Sequence, residues 1–164
     1  MILSKIFKNT LLILAACLVL TACATKKEVA TDAIQGQMQS DVYTGTDTVE
    51  YLAEGVPDRV FFATNESILT TASRETLRAQ AGWLRKNSSI SIVLEGHADE
   101  RGTREYNLAL GERRANSAKD YLMTYGISGK RLSVISYGKE KPVNTASTPL
   151  AWSQNRRSVT VKVN

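Results

Sequence analysis

Ile90-Ser91-Ile92-Val93-Leu94-Glu95, continued by Gly96-His97-Ala98-Asp99-Glu100-Arg101-Gly102-Thr103, is the stretch on which the fold turns. Its first six residues alternate: Ile90, Ile92 and Leu94 share one face, and Ser91, Val93 and Glu95 the other, as in a half-buried strand. After the short charged loop the period changes. Leu108, Gly111, Ala115, Ala118, Leu122 and Tyr125 recur at spacings of three and four, which predicts a helix from a Thr103 cap to about Tyr125. Gly126 then suits a left-handed residue just past its end. The unit is a strand, a polar loop bounded by Gly96 and Gly102, and a long helix.

Working outward, the same signals recur on both sides. Arg59-Val60-Phe61-Phe62 is a short β-like run. Thr71 to Lys86 reads as a helix with Leu77, Ala81 and Leu84 on one face, Thr71 and Ser73 as candidate caps and Asn87 as a stop. Leu132 to Tyr137 is a third strand, residues 150–156 suit one helical turn, and Ser158 to Val163 alternates as a fourth strand with Val159, Val161 and Val163 inward. The order β-α-β-α-β-(turn)-β predicts an α/β (α+β) sandwich, with two main helices on one face of a four-stranded mixed sheet. The other face would carry Ser91, Glu95, Ser158, Thr160 and Lys162. The folded domain is expected over residues 57–164.

The chain has 164 residues, enough for one domain with tails, and its 43% hydrophobic content is ordinary for a packed core. The formal net charge is +5. Acids interleave with the basic residues around Asp99 to Glu112, so no single-sign stripe suits a nucleic-acid backbone. Both cysteines, Cys17 and Cys23, lie near the start, which leaves the domain without a disulfide or a thiolate metal site.

Residues 1–22 read as a signal peptide, with Lys5 and Lys8 ahead of the apolar run Leu11 to Leu20 and no acid before Glu28. That run is too short for a spanning helix of roughly 20 residues. Leu20-Thr21-Ala22-Cys23 resembles the bacterial lipobox. The resemblance implies a Cys23 thiol alkylated by diacylglycerol and cleavage before it; several acyl chains make a far firmer anchor than one. Ala24, in place of an aspartate, favours the outer membrane by the same resemblance. Residues 24–56 are polar and without period, and are expected to form a flexible linker of about 30 Å root-mean-square span; Val49 to Leu52 as an edge strand is the alternative.

The segment Gly96-His97-Ala98-Asp99 followed by Glu105-Tyr106-Asn107 and Leu110-Gly111-Glu112-Arg113-Arg114-Ala115-Asn116 resembles the signature of the OmpA C-terminal-like family, in the form carried by peptidoglycan-associated lipoproteins. Ser136-Tyr137-Gly138-Lys139-Glu140-Lys141-Pro142 and Asn155-Arg156-Arg157 extend the match to about residues 59–163. The resemblance implies an outer-membrane lipoprotein, facing the periplasm, that binds peptidoglycan through the diaminopimelate of the stem peptide. It also implies contact with TolB and other Tol-system proteins, with a part in cell division and envelope integrity.

A ligand end that carries an ammonium and a carboxylate needs an anion and a cation at fixed spacing. By the resemblance these fall on Asp99 and on Arg114, whose planar fork suits a bidentate carboxylate. Read from the residues alone, Asp99 is equally a loop residue bonding its own backbone. Arg114 is equally a surface arginine or the partner of an acid such as Asp99. Asn107 is a polar contact or a loop fastener. In the first loop, Thr64 and Asn65 stand where the family carries an aromatic and an acid, so that loop has lost a charge. Glu95, His97 and Asp99 alternate, but one histidine without cysteine is a weak metal pattern; His97 is expected to pack and hydrogen-bond beneath the loop. No catalytic residue and no cofactor is expected. A wall-modifying enzyme and a wall-indifferent surface lipoprotein are the rival readings.

Overall fold

The computed structural model describes residues 41–163. The signal peptide, the lipobox and Cys23 lie outside the described residues. The elements in chain order are β1 (Tyr51–Ala53), β2 (Val56–Pro57), β3 (Arg59–Phe61), α1 (Thr71–Lys86), β4 (Ser91–His97), α2 (Arg104–Thr124), β5 (Leu132–Gly138), α3 (Pro149–Asn155) and β6 (Arg157–Val163). The main sheet has the order β3-β6-β4-β5; β4 and β5 run parallel, while β6 is antiparallel to both β3 and β4. The expected mixed sheet with two main helices on one face is present, and residues 149–155 form a third, short helix.

The helix ends follow from their sequences. Thr70, one residue earlier than the expected caps, accepts from the Ser73 N–H at 3.1 Å. Thr103 accepts from the Tyr106 N–H at 3.2 Å. α2 ends with Gly126 at φ 81°, its N–H bonded to Met123 O and the Ile127 N–H to Leu122 O. These are the two bonds of a Schellman ending, and Ile127 is buried behind it.

The core between helices and sheet is built from Val60, Phe62, Leu77, Ala81, Leu84, Ile92, Leu94, Ala115, Ala118, Leu122, Ile127 and Leu132. α2 lies unusually close to β4. A Cβ on Gly96 would stand 1.8 Å from the carbonyl oxygen of Gly111, and one on Gly111 would stand 2.4 Å from Ser136 Oγ. Two facing glycines therefore let helix backbone touch strand backbone, which fixes the depth of the loop between them.

Three expectations are corrected. Leu108 is 44% exposed and does not belong to the inward stripe of α2; Asn107, Leu110 and Arg114 are buried instead. The start of that helix faces the loops at the strand ends rather than the apolar core. Second, β6 presents the opposite face from the one expected. Thr160 pairs with Leu94 and Lys162 with Ile92, so Ser158, Thr160 and Lys162 lie on the helix side. Thr160 Oγ1 donates to Gln80 Oε1 at 2.8 Å, while Val161 and Val163 are exposed. Strict alternation fixes a period of two but not which half faces inward; here a buried glutamine on α1 receives the polar half. Third, residues 41–56 are not all linker. β1 and β2 form a separate two-stranded hairpin, and Tyr43 and Leu52 are buried. Tyr43 sets its ring edge-on to Phe61 at 4.8 Å.

Candidate functional site

The antiparallel pairing brings three chain segments to one end of the sheet. β3 and β4 end where β6 begins, so the loop after Phe61, the loop after His97 and Arg156 just before β6 converge. Phe62 N–H donates to Arg156 O at 2.9 Å and locks the first of these joints.

Arg114 reaches this end from α2 and has no exposed surface. Its Nε donates to Glu66 O at 2.8 Å, Nη1 to His97 O at 2.8 Å and Nη2 to Ala63 O at 3.0 Å. One guanidinium therefore ties the first loop to the end of β4. Burial, then the charge of Arg156, push its pKa down to about 10, so it remains cationic. The direct Asp99–Arg114 pair allowed by the sequence does not form. Three of the five Arg114 N–H groups face main-chain carbonyls.

Asp99 is buried between two other arginines. Its carboxylate accepts from Arg101 Nη2 at 2.7 Å and Nε at 3.1 Å, from the Arg101 N–H at 3.1 Å, and from Arg156 Nη1 at 3.4 Å. Burial alone would raise this carboxyl; the Arg101 hydrogen bonds and the charges of Arg101 and Arg156 outweigh it and hold the group below the usual range. Arg101 in turn lies over the Trp152 ring at 4.4 Å, and its Nη2 donates to Thr64 Oγ1 at 3.3 Å. The loop is fastened by Asn107 Nδ2 to Arg101 O at 2.7 Å, Trp152 Nε1 to Glu100 Oε1 at 2.8 Å, and Lys139 Nζ to Gly102 O at 2.8 Å. Asn107 is thus a loop fastener.

Arg156 is the centre of the charged group and almost wholly buried. Nε donates to Phe62 O at 3.1 Å, Nη1 faces Asp99, and Nη2 donates to Asp41 Oδ1 at 2.8 Å and to the Asp41 main-chain carbonyl. The other Asp41 oxygen, Oδ2, accepts from the Thr64 N–H at 2.7 Å. A carboxylate is therefore seated between a guanidinium and a backbone amide. Thr64 belongs to the turn Ala63–Glu66, closed by Glu66 N–H to Ala63 O at 3.2 Å. Asn65 occupies its third position at φ 58°, a left-handed conformation that asparagine tolerates better than most residues. Asn65 itself is exposed.

Of the sequence candidates, Asp99, Thr64, Asn107 and Arg114 meet at this end, with Asn65 on its rim. Arg101, Arg156 and Asp41 complete the group; Arg156 and Asp41 were not singled out. Arg156 stood in a quoted motif, Asn155-Arg156-Arg157, but both arginines are buried and nothing in the spacing marks which one meets Asp99 and Asp41. His97 packs beneath the loop, 5.6 Å from the Tyr137 ring, yet neither ring nitrogen makes a hydrogen bond among the described residues. Burial, then the charges of Arg157, Lys141 and Arg59, push its pKa down to about 3, so it is neutral. Among the described residues no cluster of histidine, cysteine and carboxylate could hold a metal, and no helix is long and apolar enough to cross a membrane.

The model of the OmpA family matches residues 61–156, which span the loops and arginines just described. The peptidoglycan-associated lipoprotein of Rhizobium meliloti is 45% identical over 157 residues, 95% of this chain and 89% of the relative. The chain belongs to the peptidoglycan-associated lipoprotein family. The crystal structure of the family member from Burkholderia pseudomallei superposes with a TM-score of 0.63 at 34% identity, covering 65% of this chain and 90% of that one. The C-terminal domain of Helicobacter pylori MotB shares the fold, with a TM-score of 0.61 at 19% identity.

Proposed function

We propose that this chain is an outer-membrane lipoprotein, anchored through Cys23, that holds peptidoglycan non-covalently by the diaminopimelate of the stem peptide. The observation that supports this most is the seat at Arg156 and the Thr64 N–H, which already accommodates a carboxylate. Three arginines (Arg101, Arg114, Arg156) surround one aspartate, Asp99, before Asp41 is counted, so the site has an excess of positive charge for an anionic ligand. Asp99 is the acceptor for the ligand ammonium, and Arg156 takes the carboxylate role. Arg114 acts behind it by fixing the two loops and adding charge. Thr64 contributes its amide, Asn107 holds the second loop, and Asn65 lines the rim.

The role is binding rather than catalysis. His97 is buried and uncharged at neutral pH, and Asp99 is held ionised by two guanidiniums. Neither is a group poised near neutrality for acid–base work. By family resemblance the same end of the domain meets TolB and other Tol-system proteins, in competition with the wall.

A pull-down on purified peptidoglycan tests the reading. Asp99→Ala and Arg156→Gln each lower retention of the chain by about tenfold or more, the loss of a charge-assisted pair, whereas Arg104→Gln leaves it unchanged. Equal retention of all three variants would overturn the site. Release of new products from muropeptides by the purified chain would overturn the non-catalytic role.

A further inference from the structure

Asp41 lies before residues 61–156 of the family-model match and 23 residues before Thr64, yet its carboxylate sits in the carboxylate seat. The contact has several parts. Both carboxylate oxygens are bound, one by Arg156 and one by the Thr64 amide, and the main-chain carbonyl of Asp41 also accepts from Arg156. Further along the same segment, Tyr43 is buried against Phe61, and Asp47 Oδ2 accepts from Gln154 Nε2 at 3.0 Å. The two partners are unlike in burial. The Arg156 side chain is 2% exposed, while that of Asp41 is 45% exposed. A deep cation is thus covered by an acid that water and solutes can reach.

We propose that Asp41 is a built-in competitor: its carboxylate fills the seat in the free chain and must leave before the carboxylate of a wall peptide can enter. This rests on the wall-binding reading given above. Arg156 Nη2 and the Thr64 amide cannot serve both acids at once, so the measured affinity is the intrinsic one reduced by the fraction of chains with the seat open. A half-exposed acid on one guanidinium and one amide is a weak internal ligand. It lowers affinity by about tenfold without abolishing binding. The segment from Asp41 to Asp47 then acts as a latch, and whatever draws it away from the domain strengthens the grip.

The test uses the whole mature chain and a soluble stem peptide containing diaminopimelate, with affinity measured by calorimetry and amide hydrogen exchange followed over residues 41–50. Asp41→Asn is expected to raise affinity about tenfold. Asp47→Asn, which removes the same charge from the same segment but does not touch Arg156, changes it by no more than about twofold. Peptide is expected to speed exchange in residues 41–50 of the unaltered chain. Unchanged or weaker binding by Asp41→Asn, an equal gain in Asp47→Asn, or slower exchange on adding peptide would each overturn the latch, the last by making the segment a lid. Failure of the site reading looks different. In that case the unaltered chain, Asp41→Asn and Asp47→Asn all fail to bind the peptide, and the latch falls with it.

Discussion

Two buried arginines stand side by side at the end of this sheet, and their surroundings differ. Arg114 faces three neutral main-chain carbonyls on two loops and has no exposed surface. Arg156 also donates to the main-chain carbonyls of Phe62 and Asp41, but it faces two carboxylates besides, one of them half in solvent. Carbonyls of the fold cannot leave, so Arg114 holds the two loops together, which is the role proposed for it. Carboxylates on a loop and on an N-terminal segment can be exchanged for those of a ligand, which is why the proposed binding role is given to Arg156. The residue type is the same; the kind of acceptor divides the work.

The division is broken most directly at Arg114. Arg114→Ala removes a donor from three main-chain carbonyls, of which Ala63 O keeps the Glu66 N–H, and should cost roughly 3 kcal/mol of stability, read as a lowered urea midpoint. Arg156→Gln keeps part of its hydrogen bonding and should lose binding more than stability. Urea midpoints that fell equally for both would mean the two arginines do the same job.

The second test goes through His97, whose carbonyl Arg114 holds. Its folded pKa of about 3 lies below the ordinary 6.5, so the unfolded chain takes up the proton first as pH falls. Stability that is present above pH 6.5 is therefore lost on acidification, by about 2 kcal/mol at pH 5. Asp41 and Asp99 have lowered pKa values and give up their contribution only below about pH 4. The interval from pH 7 to pH 5 thus reports the scaffold rather than the ionic group. His97→Gln should flatten it, and a slope that survives the substitution would place the titrating group elsewhere.

The smallest effect is expected at Asn65, in the turn both regions share: its ends accept from Arg114, and its Thr64 amide holds Asp41. Asn65→Ala should cost about 1 kcal/mol because of the left-handed φ, and Asn65→Gly, which adopts that φ freely, less than that. Thermal unfolding separates the two, and equal losses would show that the side chain, not the backbone, matters there.

Much of this was readable in the residues. Alternation and three-four spacing located the main strands and helices, because a strand or helix shows its period in which residues it can bury. Thr103, Asn87 and Gly126 marked ends because capping is local chemistry. The Gly96–Asp99 motif and the spacing to Arg114 named residues that the structure brings together at one end of the sheet. What failed was whatever depends on a partner far along the chain. The inward face of β6 was set by Gln80 on α1, and the burial of Arg114 by carbonyls of residues 63, 66 and 97.

The sequence by itself determined the order of elements, the family, and the polar loop to which the binding role is assigned as a proposal, since periodicity, caps and motif are short-range properties. Only the tertiary structure decided which arginine meets carbonyls alone and which also meets acids, and that a residue of the expected linker lies against Arg156 and the Thr64 amide. Those assignments follow from antiparallel pairing, which brings the starts and ends of distant strands within hydrogen-bond reach, and no spacing along the chain encodes that distance.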